Sequence, residues 1–320
     1  MVGSTGFVGR QLALEIKQRG FNLKATLRTS NQKFGDEIDF IVTGDLDSKF
    51  DWGIHMQGVT TIVYAAARVH IMTENIKNSL EKYRAINVDS AAHCANIAAS
   101  SGVKRFIYIS SIKVNGEFSE LNKPFSSDQI PQPHDAYALS KLEAEIQLKK
   151  IGAETKMEVV ILRPPLIYGP GVRANFLQML LWLKAGVPLP FGLIKLNKRS
   201  FIAIDNLVDL IITCIWHPNA RNNIFLASDG NDVSTYELLL ILSSLMKIPS
   251  RLFRCPAWLL LFVAHLIGRG RQVSRLVDSL QIDISQTCEK LNWMPPISME
   301  EGLRRTVQDF LEKRSFKSAK

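Results

Sequence analysis

A tyrosine and a lysine lie four residues apart in the stretch Tyr137-Ala-Leu-Ser-Lys141. On a helix this spacing places both side chains on one face, one turn apart. An ammonium group favours a nearby phenolate over the phenol, whose ordinary pKa is ~10. Lys141 is therefore expected to make Tyr137 able to give and take a proton near neutral pH. Most Y-x-x-x-K pairs are solvated helix faces, so the prediction also depends on two patterns that precede this pair.

The first pattern is a glycine-rich turn, Gly3-Ser-Thr-Gly6-Phe-Val-Gly9, followed by residues 10–19 with apolar positions at helical spacing. Glycines permit a tight turn, and they let a pyrophosphate approach the free N–H groups of a helix N-terminus. An alternating strand at residues 21–27 comes next, and this order favours a dinucleotide site over an ordinary glycine-rich turn. The second pattern is a serine pair, Ser110 and Ser111, directly after the β-rich residues 105–109.

The residue at the end of the second strand bears on the choice of dinucleotide. Folds that bind NAD usually place an acidic residue there for the ribose 2′-hydroxyl. This chain has Arg28, followed by Thr29 and Ser30. A guanidinium with hydroxyls nearby suits a 2′-phosphate, so NADP(H) is expected in preference to NAD(H). The alternative is a surface arginine at a strand end.

Strands and helices alternate through the first half of the chain, with strands predicted at residues 21–27, 40–46, 59–67, 105–109 and 157–162. This alternation predicts an α/β fold, a Rossmann-type doubly wound parallel sheet with helices on both faces. Residues 1–165 are expected to form the dinucleotide-binding domain, with residues 200–227 partly returning to it. Residues 166–320 are expected to form mostly a smaller α+β lobe that binds the substrate.

The first strand of such a sheet is apparently missing, because Met1 and Val2 alone precede the glycine turn. A strand typically takes ~5–6 residues. We expect a slot beside the second strand that residues 1–2 at most can reach, as would follow from a start codon placed too late or from a truncated gene.

Composition limits the classes of partner. The net charge is +9 with basic residues scattered, which favours a phosphorylated metabolite over nucleic acid. Neither the four cysteines nor the six histidines show the spacing of metal ligands, so no metal site is expected. Cysteines this far apart are expected to be free thiols in a reducing, cytoplasmic location.

The longest apolar run, residues 256–267, is too short to span a bilayer. It predicts a buried helix, with a membrane-surface helix as the alternative.

With these motifs the chain resembles the extended short-chain dehydrogenase/reductases, the NAD-dependent epimerase/dehydratase group that acts on nucleotide sugars. The resemblance is carried by the glycine turn, Gly44-Asp45-Leu46, Ala65-Ala66-Ala67, Asn87-Val88, Ser110-Ser111 with Gly116, Tyr137 with Lys141, and Arg163-Pro164 through Gly171. Residues 66–70, 111–116, 173–176 and 189–192 are also similar to bacterial 4-ketoreductases that make UDP-N-acetylquinovosamine or UDP-N-acetylfucosamine for surface polysaccharide.

The resemblance implies roles for individual residues. Tyr137 would be the catalytic acid/base, Lys141 its partner, and Ser111, in preference to Ser110, the catalytic serine. Substrate contacts are implied at Ser111, Lys113, Asn175 and Arg199, the last on the diphosphate. Cofactor contacts are implied at Gly3, Thr5, Gly6, Phe7, Val8, Gly9, Arg28, Asp45, Leu46, Ala65, Ala66, Ala67, Asn87, Tyr137, Lys141 and Pro164.

The expected activity is therefore the NAD(P)H-dependent reduction of the 4-keto group of a UDP-4-keto-6-deoxy-N-acetylhexosamine, in lipopolysaccharide or O-antigen precursor synthesis. One alternative is a UDP-sugar 4-epimerase that keeps NAD tightly bound. Another is a non-catalytic dinucleotide-binding redox sensor. The expected partner is a nucleotide-diphosphate sugar, without nucleic acid and without a membrane span, and a homodimer is left open.

Overall fold

A parallel sheet lies at the centre of the computed structural model, which describes residues 1–32, 34–35, 38–47, 49–68 and 79–318, with side chains through Lys313. Four strands pair in the order β3 (Thr61–Tyr64), β4 (Arg105–Ile109), β5 (Glu158–Arg163) and β8 (Ile224–Leu226). Two more, β1 (Lys24–Leu27) and β2 (Asp39–Val42), form a second parallel pair. This arrangement confirms the predicted α/β class with its parallel sheet.

Met1 and Val2 connect the two sets of strands. Val2 forms a parallel bridge with Tyr64, and the Met1 carbonyl accepts a hydrogen bond from Thr26 N at 3.0 Å. Residues 1–2 thus lie between β1 and β3, where the first strand of the doubly wound order belongs. A cavity of about 30 Å³ adjoins them, and it is lined in part by Trp52, whose buried indole N–H has no hydrogen-bond partner in the described part of the chain. The expected slot is therefore present.

Helices cover both faces of the sheet, because side chains of successive strand residues point to opposite faces. In β4, Phe106 and Tyr108 pack in one apolar core, while Ile107 and Ile109 pack in another. The first core includes residues of α3 (Ser90–Ser100) and α4 (Ala136–Glu154), and the second includes residues of α1 (Phe7–Gln18) and α6 (Ile204–Trp216). Helix α2 (Ser79–Arg84) continues into α3 through a π-helical turn at Ala85–Asp89.

The C-terminal half forms a third apolar core beside the sheet. Its elements are the parallel pair β6 (Leu166–Tyr168) and β7 (Phe201–Ala203), and the helices α5 (Ala174–Lys184), α7 (Thr235–Leu245), α8 (Ala257–Leu266), α9 (Gly270–Val277) and α11 (Met299–Ser318). Helix α10 (Ser285–Leu291) packs instead with the second core through Leu291, and Thr287 donates to Leu226 O at 2.7 Å. Because α6 and β8 pack with the main sheet, residues 204–226 lie with the first half, while the domain boundaries themselves stay a prediction.

Helix α8 corrects the expectation for residues 256–267. Ala264 is the one residue of this helix that is fully buried, and most of its large apolar side chains are exposed. The prediction of a buried helix is wrong because hydropathy reports how apolar a segment is, and not whether the rest of the fold covers it. Across the ranges that the structure describes, no helix has both the length and the apolar character needed to cross a bilayer.

The partly buried amino terminus gives a pH prediction. The Met1 amino group donates to Lys24 O at 2.6 Å, and burial lowers its pKa from 8.0 to about 6, with a small opposing contribution from Cys94. Between these values the unfolded chain binds a proton that the folded chain does not, so this group's contribution to stability falls as the pH is lowered from about 8 to about 6. The expected loss is ~2 kcal/mol, measured by urea unfolding across that range.

Two N-terminal extensions separate the effect of this amine from the effect of the slot. Six alternating apolar residues before Met1 are expected to pair with β1 and β3, to raise Tm and to tighten dinucleotide binding. Six Gly/Ser residues move the amine away equally but supply no strand side chains, so they are expected to remove the pH dependence alone. Intact mass measurement of the parent chain checks whether Met1 is retained. Equal Tm values for the two extensions would show that the sheet gains nothing from a longer first strand.

Candidate active site

The glycine turn is hydrogen-bonded to strand β1. Gly3 N donates to Thr26 Oγ1 at 3.0 Å, and Ser4 Oγ donates to Thr26 O at 2.6 Å. Gly3 has φ +88°, and a Cβ there would lie 2.5 Å from Ala66 N, so the position requires glycine both for its backbone conformation and for its close packing. This packing sets the turn directly against Ala65–Ala67, the small residues that follow β3.

The first turn of α1 is open to an anion. The helix begins at Phe7, and no side chain of the described residues caps it. Its N-cap residue Gly6 is exposed, so a ligand can reach the backbone N–H groups, which together with the helix dipole favour negative charge. Thr5, Phe7 and Val8 are partly buried around this turn. These features fit the pyrophosphate of a dinucleotide.

Arg28 and Asp45 lie together at the outer end of this cleft. Arg28 Nε is 3.1 Å from Asp45 Oδ1, and both side chains are exposed. Leu46 next to them packs partly against the apolar core. The positive charge predicted to read a 2′-phosphate thus has an acidic neighbour, which weakens the argument for NADP(H).

Helix α4 brings the three predicted catalytic residues together. Asp135 caps the helix, with its Oδ1 accepting from Ala138 N at 2.7 Å, and Tyr137 lies in the first turn. The Tyr137 hydroxyl is hydrogen-bonded to Ser111. One turn further along, Lys141 Nζ donates to Ile109 O at 2.8 Å and to Tyr108 Oη at 3.2 Å. The site therefore lies where β4 ends and α4 begins.

Burial controls the protonation of this pair in the structure. It raises the pKa of Tyr137 above its ordinary value, against the opposing effect of the Ser111 hydrogen bond. It lowers the pKa of Lys141 to about 7, against the opposing charge of Glu145. Desolvation is the first cause of both shifts. The role of Lys141 in holding Tyr137 acidic stays a prediction.

The paired serines have different surroundings. Ser110 is buried and donates to Glu145 Oε1 at 2.5 Å. Glu145 accepts two hydrogen bonds from Arg163, at 2.9 and 2.5 Å, and Arg163 also donates to Asn115 Oδ1 at 2.9 Å. Ser111 lies outside this buried network and reaches Tyr137, which supports Ser111 over Ser110 as the catalytic serine. Sequence reasoning missed Glu145, although its position one turn after Lys141 places it on the same helix face.

Two cofactor predictions concern buried residues. Asn87 Oδ1 accepts from Arg68 N at 2.8 Å, and its Nδ2 donates to Ser140 Oγ at 3.0 Å. Its side chain therefore holds the segment after β3 against α4, and its amide is engaged within the protein. Pro164 is buried after β5, and its carbonyl accepts from Ile112 N at 3.0 Å, which fixes the turn that carries Ser111.

The predicted substrate residues lie among several charges. Lys113 Nζ is 2.5 Å from Asp135 Oδ2. Arg199 Nη1 donates to the backbone oxygen of Asp278 at 3.0 Å. Burial lowers the pKa of Arg199 to about 10, the Asp278 charge opposes that shift, and the like charge of Arg275 adds to it.

Arg275 was not predicted from the sequence. It lies on α9, and its Nη2 is 2.7 Å from Glu117 Oε1 and 3.9 Å from Asp135 Oδ2. No local pattern joins it to these partners, since Glu117 lies 158 positions earlier in the chain. Asn175, by contrast, is exposed in the first turn of α5. His70, the last residue of the segment 66–70 that is similar to 4-ketoreductases, lies outside the described residues.

Comparison with known proteins places this site in a family. The profile of the NAD dependent epimerase/dehydratase family matches residues 1–227. A "UDP-glucose 4-epimerase" from Vibrio cholerae is 42% identical over 98% of this chain and 95% of its own length. An "N-acetyl-alpha-D-glucosaminyl-diphospho-ditrans,octacis-undecaprenol 4-epimerase" from Escherichia coli O157:H7 is 26% identical over 96% of this chain and 93% of its own.

A solved structure agrees with the fold. The UDP-glucuronic acid 4-epimerase from Bacillus cereus in complex with NAD superposes with a TM-score of 0.79, over 97% of this chain and 95% of its own, at 17% identity. The predicted family resemblance is thereby confirmed. The family profile and the Vibrio cholerae relative agree with the glycine turn and with the Ser111–Tyr137–Lys141 cluster. This chain is therefore an enzyme of the NAD dependent epimerase/dehydratase family, and it acts as a nucleotide-sugar oxidoreductase of that type.

Proposed function

We propose that this enzyme is a UDP-sugar 4-epimerase that works with a bound nicotinamide dinucleotide. The observation that carries the proposal is the 42% identity, over nearly the whole of both chains, with the Vibrio cholerae UDP-glucose 4-epimerase. The expectation of a 4-ketoreductase of the quinovosamine or fucosamine type rested on similarity in short segments. The relatives compared above are named as 4-epimerases, so the sequence alternative now has the better support.

The catalytic cluster suits transfer of hydrogen at C4 of a hexose. Tyr137 Oη takes the proton of the C4 hydroxyl as the C4 hydrogen leaves, and it returns the proton when hydrogen is added back to the opposite face. Ser111 hydrogen-bonds the same oxygen and orients it. The dinucleotide, when bound, supplies the hydride acceptor and donor. A donor aimed at charge that develops in the transition state is worth ~3–4 kcal/mol.

The charged side of the cleft suits the substrate's diphosphate. Arg199 and Arg275 are close enough for the charge of one to lower the pKa of the other, an arrangement that an anion between them relieves. Lys113 lies nearby, paired with the carboxylate that also contacts Arg275. We assign Arg199 and Lys113 to substrate binding as predicted, and add Arg275 to them.

NAD is the dinucleotide that this proposal favours. An epimerase takes the hydride up and gives it back, so it needs no external reductant. The Bacillus cereus structure contains NAD, and the predicted preference for NADP(H) rests only on Arg28 and the hydroxyls of Thr29 and Ser30. The pairing of Arg28 with Asp45 makes that support weaker still.

Replacing Arg28 with aspartate tests the cofactor prediction. If Arg28 reads a 2′-phosphate, Arg28→Asp is expected to weaken NADPH at least ~10-fold while NADH binding changes little, because two acidic residues would then face the phosphate. Kd values for both dinucleotides, from fluorescence titration, provide the ratio. Lys104→Asp is the matched control: it makes the same charge change at an exposed site before β4, at the opposite edge of the sheet. An unchanged NADPH/NADH ratio in Arg28→Asp would show that Arg28 does not select the cofactor.

One experiment tests the activity itself. The purified enzyme is incubated with UDP-glucose, UDP-N-acetylglucosamine and UDP-glucuronic acid without added dinucleotide, and the products are followed by NMR. The dinucleotide released on denaturation is identified by mass spectrometry. The expected result is interconversion of C4 epimers with NAD recovered from the protein. Consumption of NAD(P)H with a UDP-4-keto-6-deoxy-N-acetylhexosamine, and no epimerisation, would establish the reductase. Dinucleotide binding without turnover of any of these sugars would favour the sensor.

A further inference from the structure

Helix α8 carries a continuous set of exposed apolar side chains. Trp258 is 70% exposed, Phe262 58%, Leu266 72% and Ile267 64%. Leu259 and Val263 are exposed between them. We call these six residues the α8 patch. Soluble monomers rarely expose contiguous apolar areas of this kind, and those that do usually bind something there.

The α8 patch is a fixed feature of the fold. Ala264 is buried, and Ala257 and Leu260 pack against the C-terminal core. The turn that ends the helix is tight, since a Cβ on Gly270 would lie 2.7 Å from the His265 ring. Helix α8 is thus anchored along one side, and the side chains of the α8 patch are exposed on the other.

The chain segment that contains the patch is strongly basic. Residues 238–277 contain no aspartate or glutamate, although Asp and Glu make up 30 of the 320 residues of the chain. The same segment contains six Lys and Arg residues. Arg275 is turned toward Glu117 in the active site, while the other five, Lys247, Arg251, Arg254, Arg269 and Arg271, are all exposed.

This charge distribution favours an anionic bilayer over a second copy of the chain as the partner of the α8 patch. A second copy of the chain, related by twofold symmetry, would bring like-charged arginines together with no acidic residue of this segment to pair with them. An anionic bilayer complements both features, because apolar side chains enter the headgroup boundary while arginines contact lipid phosphates. Trp258 has the amphipathic ring that favours this interface. A helix of ten residues, about 15 Å long, can lie in the interface but cannot cross the bilayer.

We propose that the α8 patch and its exposed arginines form a peripheral binding site for anionic phospholipid bilayers. The proposal stands independently of which C4 reaction the enzyme performs. It agrees with the alternative given for residues 256–267 in the sequence analysis, a membrane-surface helix.

The test is binding of the full chain to vesicles. Sedimentation with phosphatidylcholine vesicles that contain phosphatidylglycerol is expected to show saturable binding, which weakens at high salt, whereas vesicles of phosphatidylcholine alone are expected to bind at least ~10-fold more weakly. Bromine-labelled acyl chains are expected to quench Trp258 fluorescence. Absence of binding to the anionic vesicles would overturn the proposal.

Matched variants locate the binding surface. Trp258→Ser with Phe262→Ser is expected to reduce vesicle binding ~100-fold or more, while Trp216→Ser, which removes a similarly exposed tryptophan on α6, has little effect. Arg269→Gln with Arg271→Gln is expected to reduce it ~30-fold, and Lys149→Gln with Lys156→Gln at another exposed surface much less. Retained C4 activity shows that each variant is folded.

Two outcomes would contradict the proposed occupant. Equal losses in the α8 variants and their controls would mean that binding is a general effect of net charge. The second concerns self-association: if sedimentation velocity shows that Trp258→Ser with Phe262→Ser dissociates a dimer, and the parent chain does not bind vesicles, then the α8 patch joins two copies of the chain.

Discussion

Replacing Tyr137 with phenylalanine is expected to lower kcat by ~10²–10⁴ while dinucleotide affinity changes little. The variant removes one hydroxyl, the group that is hydrogen-bonded to Ser111. It keeps the ring, which packs edge-on against Tyr83 with centroids 6.0 Å apart. The loss should therefore appear in the chemical step, because the proton of the C4 oxygen has no other acceptor at this position in the proposed mechanism.

The measurement is initial rates of C4 epimerisation, with dinucleotide Kd values determined in parallel. Tyr236→Phe is the matched control, since it removes a hydroxyl from a partly exposed tyrosine on α7, in the C-terminal half. Ser111→Ala is expected to lose less, because it removes a hydrogen bond to the oxygen rather than the proton acceptor. A Tyr137→Phe enzyme within a factor of a few of the parent would remove Tyr137 from the catalytic role, and with it the proposed mechanism.

The fold was predictable because its signals are local. Residues 106–109 form an unbroken apolar run, as a strand buried on both faces requires, and they lie in β4 in the structure. The helical spacing of residues 10–19 and the glycine turn before it likewise placed α1 and the anion-binding end of the cleft. Because the carboxyl ends of parallel strands meet at one edge, locating the strands was enough to bring Gly3, Ala66 and Ser111 to the same side.

The parts of the site that escaped prediction depend on contacts between distant residues. Arg275 meets Glu117 across 158 positions, and Arg28 meets Asp45 from the end of a neighbouring strand. A sequence pattern reports spacing along one element, so it contains no information on which charges of separate elements become partners. The same limit explains why the apolar run of α8 was expected to be buried: its side chains are apolar, but no other part of the described fold packs over the α8 patch.

The protonation of the site shows the same limit. The spacing of Tyr137 and Lys141 predicted that both lie on one helix, one turn apart, and both lie on α4. The spacing by itself says nothing about burial. Desolvation acts on each group separately and favours the neutral form of both. The geometry of a catalytic pair could thus be predicted from the sequence, whereas its pKa values required the packing around it.

The other large effect is expected at the buried pair behind Ser110. Arg163 and Glu145 are each 1% exposed and share two hydrogen bonds, at 2.9 and 2.5 Å. Arg163→Met keeps an apolar chain but leaves the Glu145 carboxylate buried with Ser110 as its remaining donor, and Asn115 loses a donor. Removing one partner of such a pair typically costs ~3–5 kcal/mol, a large part of the ~5–15 kcal/mol that stabilises a domain.

Urea unfolding at pH 7 measures this loss, with Arg304→Met as the matched control. Arg304 also binds a glutamate through two hydrogen bonds, at 2.8 Å each, but it does so at the surface, where a pair is worth ~0–1 kcal/mol. The double variant Glu145→Leu with Arg163→Met removes both charges and is expected to recover part of the loss, because neither charge of the pair is then left buried without the other. If the single and double variants lose the same free energy of unfolding, the effect is one of packing volume. The ion pair would then contribute no more to stability than its side-chain shape, and the position of the Ser110–Ser111 segment would have to be maintained by the backbone contacts of β4 and β5 alone.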